Sequence, residues 1–154
     1  MQKITPFLWF DGRAEEAARF YTGIFKNSRI VRIHNLEKAG QNRDQTVKSV
    51  TFELEGQAFH ALDGGPQFTF SPAISLYVDC ETQEELDHYW NSLVADGGQP
   101  IQCGWLADKF GISWQIIPRV LTDLLYGPDK ARGARAFEAM LNMVKLDIAT
   151  LESA

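Results

Sequence analysis

A pattern that runs twice along the chain restricts the fold more than any other feature. Strand-like "KITPFLWFDG" leads into the Ala- and Glu-rich "RAEEAARFYTGIF", where Ala14, Ala17, Ala18, Tyr21, Ile24 and Phe25 recur at helical spacing. A second strand, "SRIVRIHNL", and the polar segment "EKAGQNRDQ", expected as a loop, follow. The alternating runs of "VKSVTFELEGQAFHALDGG", joined near Glu55-Gly56, predict a hairpin. The order then restarts with strand "SPAISLYVDC", helix "ETQEELDHYWNSLVADGG" and the strands of "QPIQCGWLADKFGISWQIIP". At an offset of 68, Leu8 meets Leu76, Asp11 meets Asp79, Glu16 meets Glu84 and Tyr21 meets Tyr89. At an offset of 55, Gly56 meets Gly111, Phe59 meets Trp114 and His60 meets Gln115. The difference between the offsets fits an extra loop near residues 36–46.

The expected fold is therefore α+β, with two βαβββ modules in a single domain spanning 1–154. Module 1 covers about 1–66, module 2 about 70–118, and C-terminal helices about 119–154. Those helices are "VLTDLLY", a segment starting after Gly127 with Pro128 in its first turn, and "KLDIATLES".

A module with one helix must be apolar on the sheet face that the helix covers, and period-two alternation names both faces. The covered set is read as Phe7, Trp9, Val50, Phe52, Leu54, Phe59, Ala61, Ile74, Leu76, Val78, Trp114 and Ile116. The opposite set is Ile4, Pro6, Leu8, Thr51, Glu53, His60, Leu62, Ala73, Ser75, Tyr77, Ser113, Gln115 and Ile117. Apolar walls with few hydrogen-bonding groups suit a small-molecule pocket, and bulk water would favour more Lys and Glu there. A solvated sheet face or a dimer contact is the competing reading of the same set.

Net charge is −5, and no basic run offsets it, so nucleic acid is not an expected partner. No run of ~18 apolar residues spans a membrane. "MQKITPFLWF" has no small-residue cleavage site, so no secretory signal is expected. Cys80 and Cys103 lack CxxC spacing, which makes a reducing cytoplasm the expected setting. Cys103 is read as an inert thiol rather than a reactive one. Trp105, after a glycine, suits either stacking on a planar ligand or packing against the C-terminal helices. His34, His60 and His88 sit on three different elements, so no Ser-His-Asp arrangement follows. Glu84, Glu85 and Asp87 near a helix start complement its dipole.

"ITPFLWFDGRAEEAARFYTGIF", "VTFELEGQAFHALDGGP", "ISLYVDCETQEELDHYWNSL" and "QCGWLADKFGISWQIIP" together resemble the PhnB-like family, as does "KLDIATL" near the end. This family, often labelled 3-demethylubiquinone 3-methyltransferase-like, lies in the vicinal oxygen chelate superfamily with glyoxalase I, extradiol dioxygenases and bleomycin resistance proteins. The chain has no GxGxxG and no Gly-rich strand-to-helix turn for S-adenosylmethionine. The resemblance implies strands curled round a cavity, often completed by a second chain. It implies metal ligands on the first and last strands of each module, here near Ile4 and Ala73 and at His60 and Gln115. Ile4 and Ala73 cannot bind a metal, so no cofactor is expected, with a divalent metal at His60, Gln115 and Glu53 the exception to test.

The first function expected is binding of a small, partly apolar molecule, a cation among the candidates. Its site would comprise Leu8, Thr51, Glu53, His60, Ser75, Tyr77, Trp105, Ser113 and Gln115. The second is an enzyme of the same superfamily using His60 as acid, base or metal ligand, with Gln115 and Glu53. The third gives the polar face to a homodimer interface, and a homodimer is expected in any case.

Overall fold

The computed structural model describes residues 2–37 and 46–154. The expected loop at "EKAGQNRDQ" therefore lies, beyond Glu37, outside the described residues. The chain divides into two compact units, Met1–Thr69 and Phe70–Ala154.

In unit 1, strands β1 (Phe7–Phe10), β2 (Arg29–Glu37), β3 (Thr46–Leu54) and β4 (Gln57–Asp63) surround helix α1 (Ala14–Thr22) in sequence. They form one sheet in the order β1-β4-β3-β2, with β1 parallel to β4 and the other pairs antiparallel. The β3–β4 turn has Glu55 at φ 49° and Gly56 at φ 78°, the two left-handed residues of a tight hairpin that matches strand twist. Ala14, Ala17, Ala18 and Tyr21 form one buried stripe of α1, and the small alanines let the helix lie close to the sheet. They cover Val50, Phe52, Leu54, Phe59 and Ala61, all buried. Phe52 stacks on Phe59 at 5.3 Å and 11°, and Tyr21 lies 6.2 Å from Phe52. Each such aromatic contributes about 1.5–3 kcal/mol by burial.

Unit 2 repeats the arrangement with β5 (Ser75–Cys80), α2 (Gln83–Val94), β6 (Gln99–Pro100), β7 (Trp105–Ala107) and β8 (Ser113–Pro118). Its sheet order is β5-β8-β7-β6, again with the first strand parallel to the last. Leu86, Tyr89, Trp90 and Leu93 of α2 are buried, as are Leu106, Trp114 and Ile116 of the sheet. The β7–β8 turn is organised by buried Asp108. Its Oδ1 accepts from Phe110 N (2.8 Å) and Ile112 N (3.0 Å), and its Oδ2 from Trp114 Nε1 (2.8 Å).

Three further helices complete unit 2: α3 (Arg119–Tyr126), α4 (Lys130–Leu141) and α5 (Ile148–Ser153). Asp129 caps α4 by accepting from Arg132 N, so Pro128 precedes the cap and is not in the first turn as the sequence suggested. The segment between α4 and α5 is fastened to the rest of unit 2. Cys103 N donates to Met143 O (2.9 Å), and Gly104 N to Val144 O (2.8 Å). Gln83 Nε2 donates to Leu146 O (3.2 Å), while its Oε1 accepts from Ile148 N (2.8 Å). Gly104, at φ 83°, has no room for a side chain: a Cβ would sit 3.0 Å from Leu146 Cδ1 and 3.1 Å from Ile116 O.

The alternation assigned to β5 and β8 holds, but that for β1 is one residue out. Phe7 pairs with His60, Leu8 with Ala61 and Trp9 with Leu62. Leu8 therefore belongs to the helix-covered face, while Phe7 and Trp9 share the face of His60. The physical reason is that Phe7, Leu8, Trp9 and Phe10 are all apolar, so a period of two fits either phase. Register sets Leu8 against Val78, through Ala61 and Ile116, and the sequence offset that sets Leu8 against Leu76 has the same parity, so it already puts Leu8 on the helix side. Ile74 is 79% exposed and precedes β5, so it leaves the core set.

Candidate functional site

The uncovered face of unit 1 is assembled by register. Across from Phe7 lies His60, and across from His60 lies Thr51. Thr51 Oγ1 and His60 Nδ1 are hydrogen-bonded at 3.1 Å, which fixes the ring plane; Nε2 has no partner among the described residues. Phe7 is 58% exposed, with its ring centroid 6.1 Å from the imidazole. Trp9 Nε1 donates to Gly65 O (2.9 Å), and the indole lies so close over Gly64 that a Cβ there would clash at 2.3 Å. Phe68, 65% exposed, meets Trp9 edge-on at 5.1 Å. The result is an aromatic floor beside an oriented imidazole. Glu53 shares this face, but its carboxylate is engaged by Arg29 Nε at 3.2 Å.

In unit 2, Gln115 pairs with Tyr77 on one side and Trp105 on the other, and Ser113 pairs with Ser75 and Ala107. Ser75, Tyr77, Trp105, Ser113 and Gln115 thus share the face away from α2. Gln115 Nε2 donates to Ser75 Oγ at 2.9 Å, and Tyr77 Oη lies 3.3 Å from Thr122 Oγ1 of α3. Ser113 and Ile117 are buried there, so part of this face is closed.

Each unit thus gathers its own share of the sequence candidates. Thr51, Glu53 and His60 meet in unit 1, and Ser75, Tyr77, Trp105, Ser113 and Gln115 in unit 2. Leu8 does not join them, since it lies on the helix side. Phe7, Trp9 and Phe68 were missed, the first two because of the wrong phase in β1. Phe68 follows "DGGP" outside any strand, where alternation gives no signal.

The donor chemistry does not suit a divalent metal within either unit. The first-strand positions assigned near Ile4 and Ala73 precede their strands, and the residues actually paired with His60 and Gln115 are Phe7 and Tyr77. Phe7 offers no donor, and the Glu53 carboxylate is held by a guanidinium. Among the described residues no group of three His, Cys, Asp or Glu side chains converges.

Elsewhere, burial pushes the Cys80 thiol up to about 12, helped by the nearby charges of Glu85 and Asp79. Cys103 is a half-buried free thiol in the left-handed region, φ 65°. His34 is exposed on β2, and His88 is exposed on α2, its ring 5.1 Å from that of Tyr89. Asp87 is held below the usual carboxylate range by hydrogen bonds from Lys145 and then Gln83. Among the described residues no helix is long and apolar enough to cross a membrane.

The model of the 3-demethylubiquinone-9 3-methyltransferase family matches residues 2–117, ending within β8. A PhnB protein from Bacillus cereus is 42% identical, with 76% of this chain and 99% of that one covered at a TM-score of 0.67. A protein from Pseudomonas aeruginosa shares the fold at 18% identity, covering 77% of this chain and 98% of that one, with a TM-score of 0.63. A glyoxalase/bleomycin resistance protein from Albidiferax ferrireducens matches at 15% identity, 73% and 95% coverage, and a TM-score of 0.45. A comparison with curated proteins gives no match. The chain belongs to the PhnB-like family that carries the 3-demethylubiquinone-9 3-methyltransferase description.

Proposed function

We propose that this chain binds a small, partly apolar molecule on the open sheet face around His60. The observation that carries this reading is an imidazole held at Nδ1 by Thr51, with Nε2 left unbonded beside the exposed ring of Phe7. An exposed phenyl and a preoriented hydrogen-bonding group are the two ingredients of a small-molecule site. Methyl transfer is not part of the proposal. Among the described residues each sheet has one parallel pair and no succession of parallel strands, and the sequence has no Gly-rich strand-to-helix turn of the kind that holds S-adenosylmethionine. The polar face of unit 2 contributes Tyr77 and Gln115 as further candidates, and a homodimer is the expected assembly.

Ligand-observed NMR with a fragment library tests this directly. Fragments that bind the native protein are expected to lose at least about tenfold in affinity on His60→Ala. Equal binding to both proteins removes His60 from the site. Native mass spectrometry tests the assembly, and a purely monomeric spectrum rejects the homodimer.

A second reading, in which His60 acts as general acid or base, is favoured by the same Thr51 contact, which fixes the ring's orientation. It requires turnover of a bound fragment that disappears in His60→Gln.

A further inference from the structure

One rung of the unit 1 sheet carries four different chemistries in a row. Phe7 pairs with His60, His60 with Thr51, and Thr51 with Arg32. With strands ~4.8 Å apart, three steps span roughly 14 Å from the phenyl strand to the guanidinium strand. Arg32 reaches this face only because β2 is irregular. Arg29 pairs with Glu53 and Ile30 with Phe52, after which the register shifts so that Arg32, not Val31, stands opposite Thr51. In a regular strand positions 29 and 32 would point to opposite faces; the bulge at Val31 puts both arginines on the sheet face that carries Thr51 and His60. Their charges are then disposed differently. Arg29 is neutralised by Glu53 at 3.2 Å, and Lys48 pairs with Glu15 at 2.8 Å. Arg32 is exposed and has no hydrogen bond or ion pair among the described residues. A charged edge residue also deters strand pairing, but that role needs no particular face. The bulge gives it one.

We propose that this face takes a small aromatic carboxylate, with its ring against Phe7 and Trp9 and its anionic group on Arg32. The inference rests on the ligand-binding reading above and narrows it to one chemical class. The indole, locked by Gly65 and flanked by Phe68, is a preformed surface for a flat ring. When Thr51 donates to Nδ1, the neutral imidazole keeps its proton on Nε2 and offers a donor between the phenyl and the guanidinium. The guanidinium at the far end matches a carboxylate in a two-point hydrogen bond. This reverses the cationic ligand considered from sequence, since Glu53, the carboxylate among the candidate site residues, is already paired.

Calorimetric titration with cinnamate and with its uncharged isostere cinnamide tests the proposal. The native protein is expected to bind cinnamate at least about tenfold more tightly than cinnamide. Arg32→Gln, an exposed and fold-neutral change, should reduce cinnamate to the affinity of cinnamide and leave cinnamide unchanged. Phe7→Ala should weaken both. Cinnamate binding that is absent, or equal in the native and Arg32→Gln proteins, overturns the proposal. If library fragments still bind in a His60-dependent way, the aromatic-acid class alone fails; if no fragment binds, the broader reading fails with it.

Discussion

Unit 1 caps its helix from across the sheet, with Asp63 at the end of β4 accepting from Ala14 N at 2.8 Å. Unit 2 caps its helix locally: Thr82 accepts from Glu85 N at 3.1 Å, with Glu85 at the third helical position as in a capping box. The two solutions are linked. Asp63 pairs with Phe10, and its counterpart Pro118 pairs with Cys80; a proline side chain has no acceptor to offer, and the cap comes instead from Thr82, next to the helix in sequence. The hairpins differ in the same spirit. A left-handed Glu55-Gly56 pair turns unit 1, whereas in unit 2 three donors converge on buried Asp108. Strand order and core phase persist between the halves because a shifted strand would turn its apolar side to water. Individual hydrogen bonds are replaceable one at a time, so they diverge.

That contrast can be broken from the unit 2 side most easily. Asp108→Ala should leave buried donors unmatched and cost about 3 kcal/mol. Hydrogen exchange should show the loss in β7 and β8 while β3 and β4 keep their protection; equal loss in both units would deny that they are separately fastened. Gln83→Ala removes the side chain that holds Leu146 O and Ile148 N, for a cost of about 2 kcal/mol in unfolding free energy, read from denaturant titration. The caps come next. Thr82→Ala and Asp63→Ala should each cost about 1 kcal/mol, and their effects should add if the units are independent.

The smallest effect is alkaline. Cys80 is neutral in both states at pH 7, and its folded value stands near 12 against an ordinary 9.0. Between these values the unfolded thiol ionises and the folded one does not, so stability is intact below 9 and falls as pH rises. At pH 10 the loss should be about 1 kcal/mol, since the thiol is buried. Denaturation of Cys80→Ala across this range should lack that component; an unchanged slope would remove the thiol as its source.

Much of this was readable from the chain. Helical spacing named the buried stripes, and the doubled order named the topology, because both follow from periodicities that burial enforces. Gln115 was placed correctly because β8 alternates cleanly between Trp114, Ile116 and polar neighbours. β1 was not, since four consecutive apolar residues leave the phase undetermined. Arg32 was invisible for a deeper reason: a bulge cancels the parity on which strand reading depends. The ties from Gln83 to Leu146 and Ile148 cross more than sixty positions, and no local pattern announces such a partner.

Those ties also bear on how the chain acquires its structure during synthesis. Unit 1 has every strand it needs once residue 69 is available. Unit 2 requires buried Leu146 and Leu151, seated after its last strand, before its core is closed. A ribosome extending the chain would therefore release a finished first half while the second still waits for its final turns of helix, and the interval between them is when the apolar strand β8 is most exposed to misassembly.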